Sequence, residues 1–524
     1  MQPVLINGQW RDSAGSDSFQ AENPATCELL ADVYPVSSWE DCEAALEAAA
    51  KAAEALRDLP VTILADFLEA YANRIEERAD ELVEMAHLET ALPKSPRLAD
   101  VELPRTTGQL RQAAAAARNG SWSLPTIDTK TGIRSVYRAI GPVCVLGPNN
   151  FPFAFGSISG GDFAAAIAAG NPVIAKANSS HPGTTRLFAE AAQLAAEETG
   201  LPAGTIQLLY RMPHADGERL VSDARIGATG YTGSRSAGLA LKTAADANGK
   251  PIYLELSSVN PIVVLPGALA ERGAELAEEF TGSCLMGTGQ FCTNPGLVIL
   301  IEGESTTAFI QAVTERFQEA PVGTLLSRSV QSSLQNSLSV LVDAGAELLA
   351  GNTAVEEDRC CFANTLLKIT GDQFVGAPET MQTEAFGNSS LLMVAKSTDQ
   401  VCEAIDHLEG NLTGCIYSHT GGEDDAEYDR IAPRLRQRVG RLLNDKMPTG
   451  VAVSSAMNHG GPFPATGHPG FTAVGIPASL IRFSMLQSYD NVRSHRLPAI
   501  LQDANPTGET WRFIDEQWSQ ESVS

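Results

Sequence analysis

A cysteine, a glutamate and an asparagine in this chain have the chemistry to act together on a carbonyl carbon. Cys292 lies in the run Gly287-Thr-Gly-Gln-Phe-Cys292-Thr-Asn-Pro295, and Glu255 ends an apolar, strand-like run 37 residues earlier. A thiol can be the nucleophile while a separately held carboxylate activates water, a division of labour suited to covalent catalysis. Gly287 and Gly289 leave the backbone before the thiol uncluttered, so its N–H groups could face a reacting oxygen. Asn150, in the turn Gly147-Pro-Asn-Asn150-Phe-Pro152, offers a carboxamide donor to the same oxygen. Each residue also has an ordinary explanation: most lone thiols are buried and inert, Asn in such turns bonds its own backbone, and a strand-end Glu is commonly solvated.

These residues need elements to hold them. Ser38, with Glu40 and Asp41 behind it, predicts a capped helix to about Leu59, and two further helical stretches follow at 61–90 and 96–118. The first third therefore reads as helix-rich, until residues 120–137 change to two short strands around a turn. From Gly141 strand-like and helix-like runs alternate through Leu256, five strands in all, the pattern of a parallel sheet whose carboxyl edge tends to hold ligands, with a nucleotide the natural guess. A second α/β region runs from 257 to about 455, followed by a Gly/Pro-rich stretch, His459 to Gly475, that reads as an ordered loop.

The 524 residues and formal charge of −26 predict two to four domains or subdomains and repel nucleic acid and anionic lipid. Nine cysteines without a CxxC pair fit free thiols in a reducing compartment, and no metal is expected. With no leader-like amino terminus and no long apolar run, the expectation is a cytoplasmic protein without a membrane partner.

Taken in order, Pro148-Asn-Asn150-Phe-Pro152, Lys176, Tyr231-Thr-Gly-Ser234, Glu255-Leu256, Gly289-Gln-Phe-Cys292 and Glu384-Ala-Phe386-Gly387 resemble the aldehyde dehydrogenase superfamily over nearly the whole chain. The runs Gln290 to Val298 and His459 to Thr466 are similar to its NADP-linked branch of 2-oxoglutarate semialdehyde (2,5-dioxovalerate) dehydrogenases. The resemblance implies an α/β fold with a Rossmann-like NADP-binding domain (1–122 and 141–256) and a catalytic domain (257–455). It also implies oligomerisation elements at 123–140 and 476–505 and a substrate-side loop at 456–475.

By the same resemblance Cys292 attacks the aldehyde, Asn150 helps hold the oxyanion and Glu255 activates the hydrolytic water. Cofactor contacts are expected from Lys176, Ser179, Gly233, Ser234, Leu256, Glu384 and Phe386, with Arg211 or His214 as helpers; Phe151, His459 and Phe463 are expected on the substrate side. Ser179 stands where NAD-preferring relatives often carry Glu, so a 2′-phosphate would not be repelled, and NADP is expected with NAD possible. The chain departs from the wider pattern at Asn149 for Trp, Ser257-Ser258-Val259 for Gly-Gly-Lys and Asn388 for Pro. The expected reaction is oxidation of 2,5-dioxopentanoate to 2-oxoglutarate by a homodimer or homotetramer. An aliphatic or fatty aldehyde is the alternative substrate, a cysteine hydrolase or esterase using His459 the alternative class, and a silent scaffold the third reading.

Overall fold

The computed structural model describes residues 1–355 and 357–523. Five parallel strands lie in the spatial order Ile252–Glu255, Ala228–Thr232, Val143–Leu146, Val173–Lys176, Ile206–Leu209. Strands such as Val173–Lys176 read as unbroken apolar runs because helices cover both faces of a parallel sheet. The sheet continues through Val4–Ile6 and Gln9–Arg11, an antiparallel hairpin that closes its far edge. With a second hairpin, Ser18–Asn23 against Glu28–Pro35, that makes four strands before residue 36. The helical stretches expected from Ser38 onward follow them; these four strands went unread, since short edge strands carry too little apolar periodicity to stand out.

The first helix, Trp39–Arg57, starts where Ser38 and Asp41 form a reciprocal capping box. The 61–90 stretch divides into Val61–Glu77 and Ala79–Thr90 at Arg78, whose φ of −110° breaks the helical run. The next expected helix begins as a wide turn, Lys94–Glu102, before the regular helix Leu103–Asn119.

A second seven-stranded sheet spans residues 262–444 and is parallel except at one edge, where Glu347–Ala350 pairs antiparallel with Thr365–Thr370. A five-stranded sheet, in the order Ser484–Asp490, Ile133–Ala139, Thr126–Ile127, Arg512–Ile514, Gln517–Ser519, joins the 120–137 hairpin to the chain's last strands. Among the described residues no helix is long and apolar enough to cross a membrane.

Candidate active site

Glu255 is the last residue of its strand, which places its carboxylate at the sheet's carboxyl edge. The 456–475 loop returns along that strand: Gly467 N–H donates to Leu254 O (3.0 Å), Leu256 N–H donates to Ala465 O (2.8 Å), and Glu255 bridges Thr466. This extra antiparallel pairing brings the loop's start to the carboxylate. His459 is pinned there by its N–H donating to Thr472 Oγ1 and its carbonyl accepting from Ala473 N–H, both 2.9 Å.

Cys292 follows the kinked turn Met286–Gly289. Asn260 Nδ2 donates to the carbonyls of Cys292 and Asn294, each at 2.9 Å, and Asn411 Oδ1 accepts from Val259 and Asn260 N–H to set that asparagine. The turn's glycines act differently from the expectation. Residues 287, 288 and 289 all have φ between 55° and 66°, and a Cβ on Gly289 would stand 2.0 Å from Gly387 O. Gly289 permits a left-handed turn packed against the loop that carries Glu384 and Phe386, rather than opening space over the thiol.

The three groups meet. Cys292 Sγ lies 3.5 Å from His459 Nε2, and the same nitrogen is 2.8 Å from Glu255 Oε1. Burial opposes a charge on the imidazole, but Glu255 and then Cys292 outweigh it and raise its pKa to about 10. Glu255 is 1% exposed, and its Oε2 is shut from solvent without a partner. One sulfur, one nitrogen and one carboxylate oxygen lie within 4.8 Å of one another, so a thiophilic divalent cation would compete for the same atoms. Because nucleophile and carboxylate share one imidazole nitrogen, the arrangement differs from a hydrolase triad, where base and orienting acid use opposite nitrogens.

Asn150 is buried and donates one amide N–H to Gln290 O (2.9 Å), which leaves its other N–H for an oxyanion. Its own carbonyl accepts from Arg97 Nη2 at 3.0 Å. Buried Glu102 caps the same loop by accepting from Phe153 and Ala154 N–H at 2.9 and 3.0 Å, and pairs with Arg97 at 2.6 Å. Arg97, Glu102 and Asn260 went unread in the sequence, because each acts through main-chain groups far away along the chain.

A cleft of ≈ 700 Å³ opens beside the thiol and is lined by Asn150, Gly233, Ser234, Leu256, Glu384 and Phe386, among others. Ser234 stands at the N-terminus of the helix Arg235–Ala247, its hydroxyl uncommitted to capping, where backbone N–H groups favour an anion. Glu384 accepts from Ser258 N–H at 3.3 Å; desolvation at the cleft wall raises its pKa to about 7, against the pull of that N–H and Arg235. Lys176 and half-buried Ser179, expected as cofactor contacts, are not among the residues that line the cleft; their loop is tied to the Gly147 turn by Asn178 Nδ2 donating to Gly147 O (3.1 Å). Burial, then Arg211, pushes the Lys176 ammonium down to about 8, with no carboxylate acting on it. Arg211 and His214 are exposed.

On the substrate side Phe151 packs edge-on against Phe155 and Phe291, with ring centroids 5.4 Å apart in both pairs. Phe463 departs from its expected place. Its ring is 59% exposed and joins neither the cleft nor this aromatic cluster, because the turn carrying it is held to Gly410 through its carbonyl.

The Aldehyde dehydrogenase family matches residues 10–462. Alpha-ketoglutaric semialdehyde dehydrogenase 2 of Azospirillum brasilense is 38% identical over 515 residues, covering 96% of this chain and 97% of its own. Alpha-ketoglutaric semialdehyde dehydrogenase of Acinetobacter baylyi is 34% identical, covering 96% of each. The fold superposes on lactaldehyde dehydrogenase of Escherichia coli with a TM-score of 0.80 at 23% identity, over 93% of this chain and 98% of that one. The chain belongs to the aldehyde dehydrogenase family, as an oxidoreductase that uses NAD(P) to oxidise an aldehyde.

Proposed function

We propose that this enzyme oxidises 2,5-dioxopentanoate to 2-oxoglutarate with NADP, through a thioester on Cys292. The observation that carries the chemistry is the meeting of Cys292, His459 and Glu255, of which Cys292 and Glu255 line a cleft large enough for a dinucleotide. The substrate assignment rests on the named activity of two relatives that match almost end to end.

The cleft suits a nicotinamide dinucleotide. Ser234 and the helix behind it would take the pyrophosphate, Glu384 a ribose hydroxyl, and Leu256 and Phe386 the ring faces. Lys176, without a compensating carboxylate, together with Ser179 and Arg211, favours a cofactor bearing a 2′-phosphate. When bound, the nicotinamide accepts hydride from the substrate carbon.

The residues supply the rest. Cys292 Sγ forms a bond to the aldehyde carbon, and the oxygen that gains the electron pair is met by the free Asn150 N–H and the Cys292 main-chain N–H. The single proton on His459 Nε2 can face sulfur or carboxylate; once sulfur is acylated and uncharged, it stays with Glu255 Oε1. Glu255, whose Oε2 has no partner, would then turn to face water and act as the base that takes its proton. The hydroxide adds to the thioester carbon, the carbon–sulfur bond breaks, and acid and thiolate separate. We also propose that the protein works as a homo-oligomer built on its five-stranded sheet.

The test is reduction of NADP and NAD by 2,5-dioxopentanoate and an aldehyde panel, followed by absorbance. No reduction of either cofactor by any aldehyde rejects the reading, and a large preference for NAD removes its Lys176–Ser179 part. Glu255→Gln should release about one equivalent of reduced cofactor per site and then stall, whereas Cys292→Ala should release none. The KM for NADP should climb as pH rises through about 8, where Lys176 loses its charge, while that for NAD stays level.

A further inference from the structure

Two of the nine thiols meet outside the active site. Cys27 Sγ and Cys360 Sγ lie 3.7 Å apart although 333 residues separate them along the chain. Cys360 is buried, whereas Cys27 is half-buried and reaches solvent. Cys27 closes the turn between the strands Ser18–Asn23 and Glu28–Pro35, its N–H donating to Asn23 O (2.8 Å) and its backbone left-handed at a φ of 55°. Cys360 N–H donates to Pro24 O in the same turn (2.8 Å). Arg328 spans the contact, with Nη2 donating to Cys27 O (3.2 Å) and Nε pairing with Glu22 (2.5 Å). Both sulfur-bearing backbones are thus held in place without a covalent bond.

The contact joins two structural units. The hairpin is rooted in the core beneath the five parallel strands, where Tyr34 is buried with its ring centroid 5.2 Å from that of Tyr210. Cys360 belongs to the core of the second sheet, together with Leu334 and Leu338 of the helix Arg328–Asp343. That helix brings Ser329, Val330 and Ser333 to one wall of the cofactor cleft, and Gly233 and Ser234 come to the cleft from the first unit. Cys360 is also wired toward the reacting groups: its carbonyl accepts from Leu325 N–H (2.7 Å), Leu326 N–H donates to Gln290 Oε1 (2.8 Å), and Gln290 O is the acceptor of Asn150. One bond between the two sulfurs would fasten the unit behind one wall of the cleft to the unit behind the other.

We propose that Cys27 and Cys360 are a site of reversible oxidation, closed as a disulfide by hydrogen peroxide and reopened by a dithiol, and that the closed form is a clasp that slows passage of the cofactor. Cys27, the sulfur open to solvent, attacks a peroxide oxygen; the oxygen–oxygen bond breaks, one water leaves, and the sulfur becomes a sulfenic acid. Cys360 Sγ then displaces the hydroxyl, forming the sulfur–sulfur bond and releasing a second water, so that the two thiols together give two electrons and two protons to one peroxide. Burial, and then Cys27, push the Cys360 thiol up to about 12, which keeps it a partner for its neighbour rather than a target of the oxidant. A dinucleotide gripped from both sides leaves when the walls part, and a covalent tie between the units restricts that parting. The clasp rests on the cleft being the dinucleotide site; the bond does not.

The experiment uses the full-length chain carrying Cys292→Ala, so that the catalytic thiol neither consumes the oxidant nor accounts for the result. After hydrogen peroxide, digestion without reductant and fragment mass spectrometry should find Cys27 joined to Cys360, and dithiothreitol should remove the bond. Stopped-flow fluorescence should show NADPH, or NADH if that binds better, leaving the oxidised protein about 3- to 10-fold more slowly than the reduced one. A protein that also carries Cys27→Ser should show no such difference; should it not fold, Cys360→Ala takes its place. No bond between these residues, or a bond from Cys27 to Cys361, overturns the site. A bond that leaves the release rate unchanged, or a slowing that persists in the control variant, overturns the clasp. Failure of either reduced cofactor to bind rejects the reading of the cleft and with it the clasp, while the mapped bond stands on its own.

Discussion

At the scale of single residues, the site's electrostatics centre on one imidazole. Burial alone would leave His459 neutral at neutral pH, yet Glu255 and Cys292 raise its pKa to about 10. A folded-state value above the unfolded one, about 6.5, means that proton binding stabilises the fold. That contribution is complete below pH ~6.5, falls as pH rises, and is gone above about 10. NMR of ring-labelled histidine should find His459 protonated through pH 8, and Glu255→Gln should move its titration down, because burial then faces only the cysteine. A neutral His459 at pH 7 in the wild type would reject this pairing. Glu255→Ala leaves a buried cation unmatched and should cost about 3–5 kcal/mol of stability, well beyond the effect of Glu255→Gln, whose amide oxygen still accepts.

Among the elements, the turn before the cysteine runs through three consecutive left-handed residues, 287 to 289. A side chain at residue 289 must bear a φ of 66° and place its Cβ 2.0 Å from Gly387 O. Gly289→Ala should therefore cost about 2–5 kcal/mol, combining left-handed strain with overpacking. It should also weaken cofactor binding, since Gly387 adjoins Phe386 in the cleft wall. A melting temperature and cofactor KM within error of wild type would show that the loops yield freely. This turn also marks the limit of what the sequence disclosed. The five parallel strands and the helices between them were legible because burial on both faces writes continuous apolar runs, and the Ser38 cap because its partner sits three residues away. The purpose of Gly289 was hidden, since its neighbour lies 98 residues on. For the same reason no local pattern announced Asn260 or Glu102, and Phe463 looked like a site residue until its loop was seen to turn outward.

For the whole molecule, the surface left open by the five-stranded sheet bears on assembly. Among the described residues its first strand, Ser484–Asp490, pairs only with Ile133–Ala139, so one row of main-chain groups lies at an edge. Met485 and Leu486 are 46% and 54% exposed, and Trp511 and Trp518 at the other end of the sheet are about half exposed. Natural edge strands are usually blunted by charge or proline, and this one instead presents apolar side chains on both faces. A second copy of the chain can meet both needs, pairing the edge and covering the side chains, and closed symmetry would stop growth there. Opposing it is the net charge of −26 on each copy. That repulsion is long-ranged and screened over about 8 Å at physiological ionic strength, whereas apolar burial hardly depends on salt. Association should therefore weaken as salt is removed, the reverse of a contact held by ion pairs. Light scattering after gel filtration should report a multiple of the 55.4 kDa chain at physiological salt and a lower mass in dilute buffer. Leu486→Lys with Met485→Lys should yield a monomer that retains its secondary structure. A wild type that is monomeric at every salt concentration, or a double variant whose mass does not change, would place the subunit contact, if one exists, on another surface.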